Sequence, residues 1–219
     1  MKIPRNWTFE NKEVAKGFDR HVREQLPWYD IATGAIAHIA RHYIREGGRV
    51  YDVGASTGNI GHAIAKTIKE RHAELIGIEK SFAMCEAYSA PGRILNANAV
   101  GFDYQPCCFA VAFLTVQFIP VPDRPKLLLD LFGAVEPGGA LVVFDKLGVE
   151  SRSYVATVMR RLTLAGKASA GTPSDEIIAK ELSLGGVQRP LDEALIDGTS
   201  TRAFKWFQFG EFAGWLLEK

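Results

Sequence analysis

The sequence predicts an α/β fold, a single doubly wound domain whose sheet has about seven strands, mostly parallel, ending in an antiparallel hairpin. Three observations carry this. Short apolar runs alternate with helical periodicity from Arg49 to Val149. A glycine-containing turn follows the first of these runs. Two aromatic-rich runs near the C-terminal end meet at Gly210-Glu211, a pair that suits a two-residue type II′ turn.

Each element follows in order. From Asn11 to Glu46, apolar residues fall three and four apart, which predicts two helices broken at Pro27 and stopped by Gly47-Gly48. RVYDVGA is rich in β-formers and predicts the first strand, with STGNIGHAIAKTIKE a helix behind it. ELIGIEK is the second strand, the stretch from Ser81 to Tyr88 a short helix, and RILNANA the third strand. CFAVAFLTVQF is the longest strand candidate; its unbroken apolarity predicts burial on both faces, and Pro120 and Pro122 end it. DRPKLLLDLFGAV is helical, EPGG is a turn, and ALVVFDKLGV is the fifth strand. The rhythm then changes to two helices, SRSYVATVMRRLTLAGK and SDEIIAKELSL, with Ser174 the expected N-cap of the second. FKWFQF and FAGWLLEK close the chain. Residues 1–219 therefore form one domain, with 1–47 a helical lid and 151–200 a helical insertion before the hairpin.

Composition narrows the function classes. The 219 residues are 47% hydrophobic and 23% charged, which excludes disorder and allows a core burying roughly 70% of the unfolded surface. Lys plus Arg number 26 against 25 Asp plus Glu, so the chain is not a broadly basic binder of nucleic acid. A local run, Arg152, Arg160, Arg161 and Lys167, leaves an RNA or anion contact open beside the commoner solvated face. Cys85, Cys107 and Cys108 are odd in number and two are adjacent, as expected of buried thiols in the reducing cytoplasm. No apolar run reaches the ~18 residues of a membrane helix, and MKIPRNWTFENK lacks the apolar region of a signal peptide. His38 and His42 are four apart without an intervening Glu or a third ligand, so no metal is expected.

The chemistry lies in Val50-Tyr51-Asp52-Val53-Gly54-Ala55-Ser56-Thr57-Gly58-Asn59. A strand ends there in a glycine turn that opens a helix, where doubly wound folds bind nucleotides. Gly54 permits a tight turn close to a ligand, and Gly58 permits close helix packing. Glu79, at the end of the next strand, offers a carboxylate to two ribose hydroxyls. A dinucleotide needs a bare backbone where Ser56 stands, and Asp52 occupies a place that is usually apolar in such sites. S-adenosyl-L-methionine (SAM), with a sulfonium, an ammonium and no phosphate, suits the loop carbonyls, the Ser56 hydroxyl and the acidic neighbours better. The competing reading is a tight turn with no ligand.

FDRHVREQLPWY from Phe18 to Tyr29, VYDVGASTGNI, LIGIEKSFAM, LTVQF, EPGGALVV and WFQFGEFAGWL together resemble the carboxy-S-adenosylmethionine synthases. These are enzymes of the Rossmann-like class I methyltransferase fold that serve tRNA wobble-uridine modification. The resemblance implies SAM or carboxy-SAM as cofactor, prephenate as carboxyl donor, and a homodimer. It places Tyr29 over the cofactor from the lid, and Gly54, Ala55 and Ser56 along its amino-acid tail. Glu79 with Lys80 takes the ribose, and Asn98 with Ala99 the adenine. Phe113 stands near the reactive end, where the family has an asparagine. Asp52 and Gly58 complete the expected cofactor set. The family's carboxylate-binding arginine before WFQ has no counterpart in place; Arg189 and Arg202 are the nearest. Asp145 and Lys146, after the fifth strand, face a substrate or pair with each other. Methyl transfer, true carboxy-SAM synthesis and a cofactor-binding module without catalysis all remain open, and no catalytic residue is assigned.

Overall fold

The computed structural model describes residues 8–148 and 153–219; Arg152 and the first seven residues lie outside them. Two helices open the described chain, α1 (Lys12–Gln25) and α2 (Tyr29–Tyr43), on either side of Pro27. The side chain of Asn11 caps α1 by accepting from the N–H groups of Glu13 at 2.9 Å and Val14 at 3.3 Å. Then follow β1 (Arg49–Val53), α3 (Asn59–Glu70), β2 (Glu74–Glu79), α4 (Phe82–Glu86), β3 (Arg93–Asn96) and β4 (Cys107–Phe113). The second half holds α5 (Arg124–Ala134), β5 (Val135–Lys146), α6 (Tyr154–Ser169), α7 (Ser174–Ser183), α8 (Glu193–Thr199), β6 (Ala203–Phe209) and β7 (Phe212–Glu218).

The strands form one seven-stranded sheet in the order β3-β2-β1-β4-β5-β7-β6. All neighbours are parallel except β7, which runs antiparallel to both β5 and β6. The chain winds outward from β1 to β3 and then returns to start again at β4 on the other side of β1. The crevice outside the carboxyl ends of β1 and β4 is thus the switch point of the sheet. Adjacent residues on β1 feed the two faces. Tyr51 and Val53 join a core with Leu127, Leu131 and Trp215, while Val50 joins Ile36, Ile64 and Phe109 under α2 and α3. Cys107 and Cys108 divide between the same two cores, and all three thiols are free. Among the described residues no helix is long and apolar enough to cross a membrane.

Three local expectations are corrected. β4 stops at Phe113 instead of running through LTVQF: Leu114 takes a left-handed φ of 56°, and Val116–Phe118 forms a single 3₁₀ turn. The apolarity of that segment reflects burial beneath the cavity rather than extension, with Val116 and Gln117 both buried. Ser174 is the first residue of α7 and not its cap; Pro173, held extended at φ −60° and ψ 144°, precedes it. The short helix α8 was not expected, although Asp192 caps it by accepting from the N–H of Ala194 at 3.1 Å. The closing hairpin pairs Phe209 with Phe212 across Gly210, whose φ is 55°, as the type II′ turn requires.

Candidate active site

The glycine loop spans the gap between β1 and α3, and three of its residues have left-handed φ: Gly54 at 71°, Ser56 at 49° and Gly58 at 100°. The Thr115 hydroxyl donates to the carbonyl of Val53 at 2.8 Å and fills the space beside Gly54, where an added Cβ would lie 2.2 Å from Thr115 Oγ1. Glu79 braces the loop from β2. Its Oε2 accepts from the N–H of Ser56 at 2.9 Å, and its Oε1 from the N–H of Ser81 at 2.8 Å. Burial pushes the Glu79 carboxyl up, and these two backbone bonds oppose the shift.

Asp52 is fully enclosed at 1% exposure, and its Oδ2 has no hydrogen-bond partner among the described residues. Burial first, and then the charge of Glu79, raise its pKa to about 7. Two carboxyls therefore meet at the foot of the loop, one braced by backbone donors and one without a partner on Oδ2.

A cavity of about 410 Å³ opens beside the loop. Every residue singled out in the sequence as a cofactor contact lines it except Gly58. Gly58 caps α3 and abuts the segment between α4 and β3, where an added Cβ would lie 2.6 Å from the Cβ of Ala90. Its part is packing. Tyr29, the first residue of α2, meets the ring of Phe113 edge-on at 5.3 Å, and Phe113 lies 5.0 Å from Phe144. Asn98 turns its Oδ1 to its own backbone, accepting from the N–H of Val100 at 3.1 Å, beside buried Ala99. Lys80 is exposed at the rim.

The cavity continues beyond what the sequence pointed to. Its far end is closed by α1, α6 and α7 and includes His21, Gln25, Lys146, Lys167, Lys180 and Glu181. Glu181 accepts from Lys167 at 2.9 Å and from Arg160 at 2.5 Å, and Arg160 also reaches Glu211 at 3.0 Å. Burial would raise the Glu181 pKa, but hydrogen bonds and charge from Lys167 and Arg160 hold it down to about 2. Burial, and then Lys167, push Lys180 down to about 7. Asp145 and Lys146 do not pair. The carboxylate of Asp145 accepts from the N–H groups of Gln117 and Lys146, whereas the Lys146 ammonium faces Gln188 at 3.4 Å and Glu211 at 3.9 Å.

Six buried side-chain polar atoms lack a partner among the described residues, and all but Trp206 Nε1 belong to cavity residues: both ring nitrogens of His21, Gln25 Oε1, Asp52 Oδ2 and Gln117 Oε1. Unsatisfied polar atoms are costly to bury, and their concentration on one cavity is what a polar ligand would relieve. Of the basic run, Arg160 and Lys167 turn inward and Arg161 is exposed, so these three share no single outer face. Neither Arg189 nor Arg202 lines the cavity; Arg202 pairs with Glu218 at 3.4 Å on the surface. His38 and His42 stack edge-on at 5.0 Å, and the described residues hold no cluster of three or more metal-ligating side chains.

No protein-family profile matches the chain. Curated proteins do. It is 28% identical to the carboxy-S-adenosyl-L-methionine synthase of Staphylococcus epidermidis, over 99% of this chain and 98% of that one. It is 31% identical to that of Chromohalobacter salexigens, over 98% of this chain and 84% of the relative. Among solved structures, a protein of Methanococcus maripaludis assigned as a SAM-dependent methyltransferase superposes with a TM-score of 0.60 at 16% identity, covering 97% and 94% of the two chains. The cyclopropane synthase MmaA2 of Mycobacterium tuberculosis gives 0.54 at 15% identity over 80% and 62%. These last two likenesses bear on the fold.

Proposed function

The chain belongs to the carboxy-S-adenosyl-L-methionine synthase family, and on that premise we propose that the cavity holds SAM or carboxy-SAM against the glycine loop. The protein is a SAM-binding transferase related to the methyltransferases. The observation that carries the assignment of the site is the pairing of Asp52 and Glu79 at its foot, two acidic groups on the cavity beside the glycine loop, with the aromatic rings of Tyr29 and Phe113 lining the same cavity. Such a set fits a cationic, phosphate-free nucleoside and disfavours a pyrophosphate.

Each residue then has a task. Glu79, held by Ser56 and Ser81, presents its remaining lone pairs to ribose hydroxyls. Asp52 Oδ2 and Gln117 Oε1 supply acceptors for an ammonium, and Ala55 and Ser56 shape the backbone around the tail. Asn98 and Ala99 take the adenine edge, with Lys80 at the rim. Tyr29 and Phe113 exclude water from the sulfonium end. Bound there, the cofactor supplies a sulfonium whose one-carbon substituent is transferable. The chain's own contribution is positioning and desolvation, which accounts for the lack of a conspicuous catalytic base.

The finer reading is carboxy-SAM synthesis with prephenate as donor, supported by the names of the relatives. The role of 1–47 as a helical lid, a cytoplasmic homodimer and supply of product to tRNA modification go with that family reading. Incubation of the full chain with SAM and prephenate, followed by mass spectrometry of the nucleoside, tests it. Carboxy-SAM is the expected product; SAM returned unchanged at saturating prephenate rejects this activity, and calorimetric titration with SAM separately tests the site.

A further inference from the structure

The wall of the cavity between β4 and α5 is built around a strained turn. Leu114 follows the last residue of β4 with a φ of 56°, a conformation that glycine adopts freely and leucine does not. Such strain persists only where the surroundings over-determine it. Here they do. The N–H of Leu114 donates to the carbonyl of Phe144 at 2.6 Å, and its carbonyl accepts from Nε2 of Gln117 at 3.1 Å.

Gln117 is 2% exposed, lines the cavity and is held at every polar atom but one. Its N–H donates to Oδ2 of Asp145 at 3.1 Å. Its carbonyl accepts from the N–H of Arg189 at 2.9 Å and from Nη2 of Arg124 at 3.3 Å. The bond to Leu114 fixes which way the amide faces, because only its nitrogen can donate to a carbonyl. Oε1 is left over, buried and without a partner among the described residues. An acceptor held in one orientation and left unpartnered is suited to a ligand that brings an N–H.

The side chains that hold Gln117 stand outside the cavity: neither Arg124 nor Asp145 lines it. Arg124, on α5 and 3% exposed, gives its whole guanidinium to backbone carbonyls. Besides Gln117, Nε reaches Ile119 at 3.0 Å, Nη1 reaches Pro190 at 2.9 Å and Nη2 reaches Arg189 at 2.9 Å. Gln117 and Ile119 belong to the cavity wall. Arg189 and Pro190 belong to the strap between α7 and α8, whose Gln188 also lines the cavity. One planar fork thus clamps two segments, which a point donor could not do. Asp145 closes on the same turn from β5, fully buried, and also accepts from the N–H of Lys146 at 2.8 Å. Burying a guanidinium and a carboxyl is costly, and well-packed apolar groups often stabilise a fold as well; what the polar groups add is fixed geometry.

We propose that Arg124 and Asp145 are positioning residues, which lock the Leu114–Gln117 turn so that Gln117 Oε1 meets the ligand's ammonium as a pre-set acceptor. The proposal rests on the reading that the nucleoside's amino-acid tail brings that ammonium into this cavity. It makes recognition of the tail depend on side chains of α5 and β5 that never touch it.

The test compares two ligands by calorimetry on the full chain: S-adenosylhomocysteine and its deaminated analogue, which lacks only the ammonium. Wild type is expected to prefer the first by more than about tenfold. Gln117→Met, close in volume but without an acceptor, should cut that preference about tenfold. Arg124→Lys keeps the charge but loses the fork. It should cut the preference by about threefold or more and leave affinity for the analogue within about twofold of wild type. The double variant should be no less selective than Gln117→Met alone, because the arginine acts through the glutamine. Asp145→Asn, which turns an amide N–H toward one of two N–H donors, is a second brace variant with the same expected result. Equal losses for the two ligands in the brace variants, as a merely structural role would give, overturn the proposal. So do an undiminished preference in Gln117→Met or in both brace variants, a further loss in the double variant, and equal binding of the two ligands by wild type. If S-adenosylhomocysteine does not bind at all, the cofactor reading itself fails, and the proposal falls with it.

Discussion

The N–H of Ser56 donates to Oε2 of Glu79 at 2.9 Å and ties the glycine loop to the end of β2. The carboxylate has two jobs at once, fixing the loop and facing the ligand. Glu79→Ala removes both, and its affinity for S-adenosylhomocysteine should fall tenfold or more, about 1.4 kcal/mol. Calorimetry giving the wild-type constant would remove Glu79 from the site.

Gly54 is constrained twice, by its φ of 71° and by Thr115. Gly54→Val carries the left-handed penalty of ~1–2 kcal/mol and drives a Cβ into Thr115 Oγ1, which holds the carbonyl of Val53. Both Tm and nucleoside affinity should drop. A variant with normal affinity at a temperature where it is folded would show that the loop backbone does not approach the ligand.

Gly58 provides the contrast. Gly58→Ala meets Ala90 at 2.6 Å with φ 100°, outside the cavity lining. Stability should fall by about 2 kcal/mol, several degrees in Tm, while nucleoside affinity well below Tm stays within about threefold. Thermal scans paired with calorimetry separate the two effects; a loss of affinity as large as that of Gly54→Val would place Gly58 against the ligand.

Asp52 ties stability to pH. Its folded pKa of about 7 lies above the unfolded value near 3.9, so the stability linked to its protonated form is complete below about pH 4 and is lost as pH rises to about 7. Asp52→Asn cannot ionise. The fall in Tm between pH 5 and pH 8 should shrink by about 3 °C or more relative to wild type. Asp145, also raised to about 7 by burial, remains in the variant and retains its own share. Identical pH profiles for the two proteins would show that Asp52 is not protonated in the fold.

The alternation of runs, the glycine turn and the acid at the end of β2 were legible because each is a local pattern with a backbone cause. All but one of the expected cofactor residues line one cavity, the loop residues and Glu79 expected from this local logic and Tyr29, Lys80, Asn98, Ala99 and Phe113 from the family resemblance. What stayed hidden depends on which way a helix turns. Lys167 sits in a polar run that looks like a solvated face, yet it is 5% exposed because α6 rolls it toward Glu181 on α7. His21 and Gln25 are ordinary helix residues in sequence, and only the packing of α1 encloses them. Apolarity misled at LTVQF, because burial and extension give the same pattern and the left-handed turn at Leu114 carries no glycine to announce it. The seven-residue α8 is too short to show a period.

The placement of β7 between β5 and β6 has a consequence for how the protein is made. The strand synthesised after all the others fills an interior slot, pairing with β5 on one side and β6 on the other. Until residues 212–218 have left the ribosome, β6 has no neighbour and the flank of β5 stands open. Assembly of the sheet is therefore completed only after translation has passed this strand. A stalled chain ending within the hairpin exposes two unpaired edges and becomes a substrate for chaperones or for aggregation.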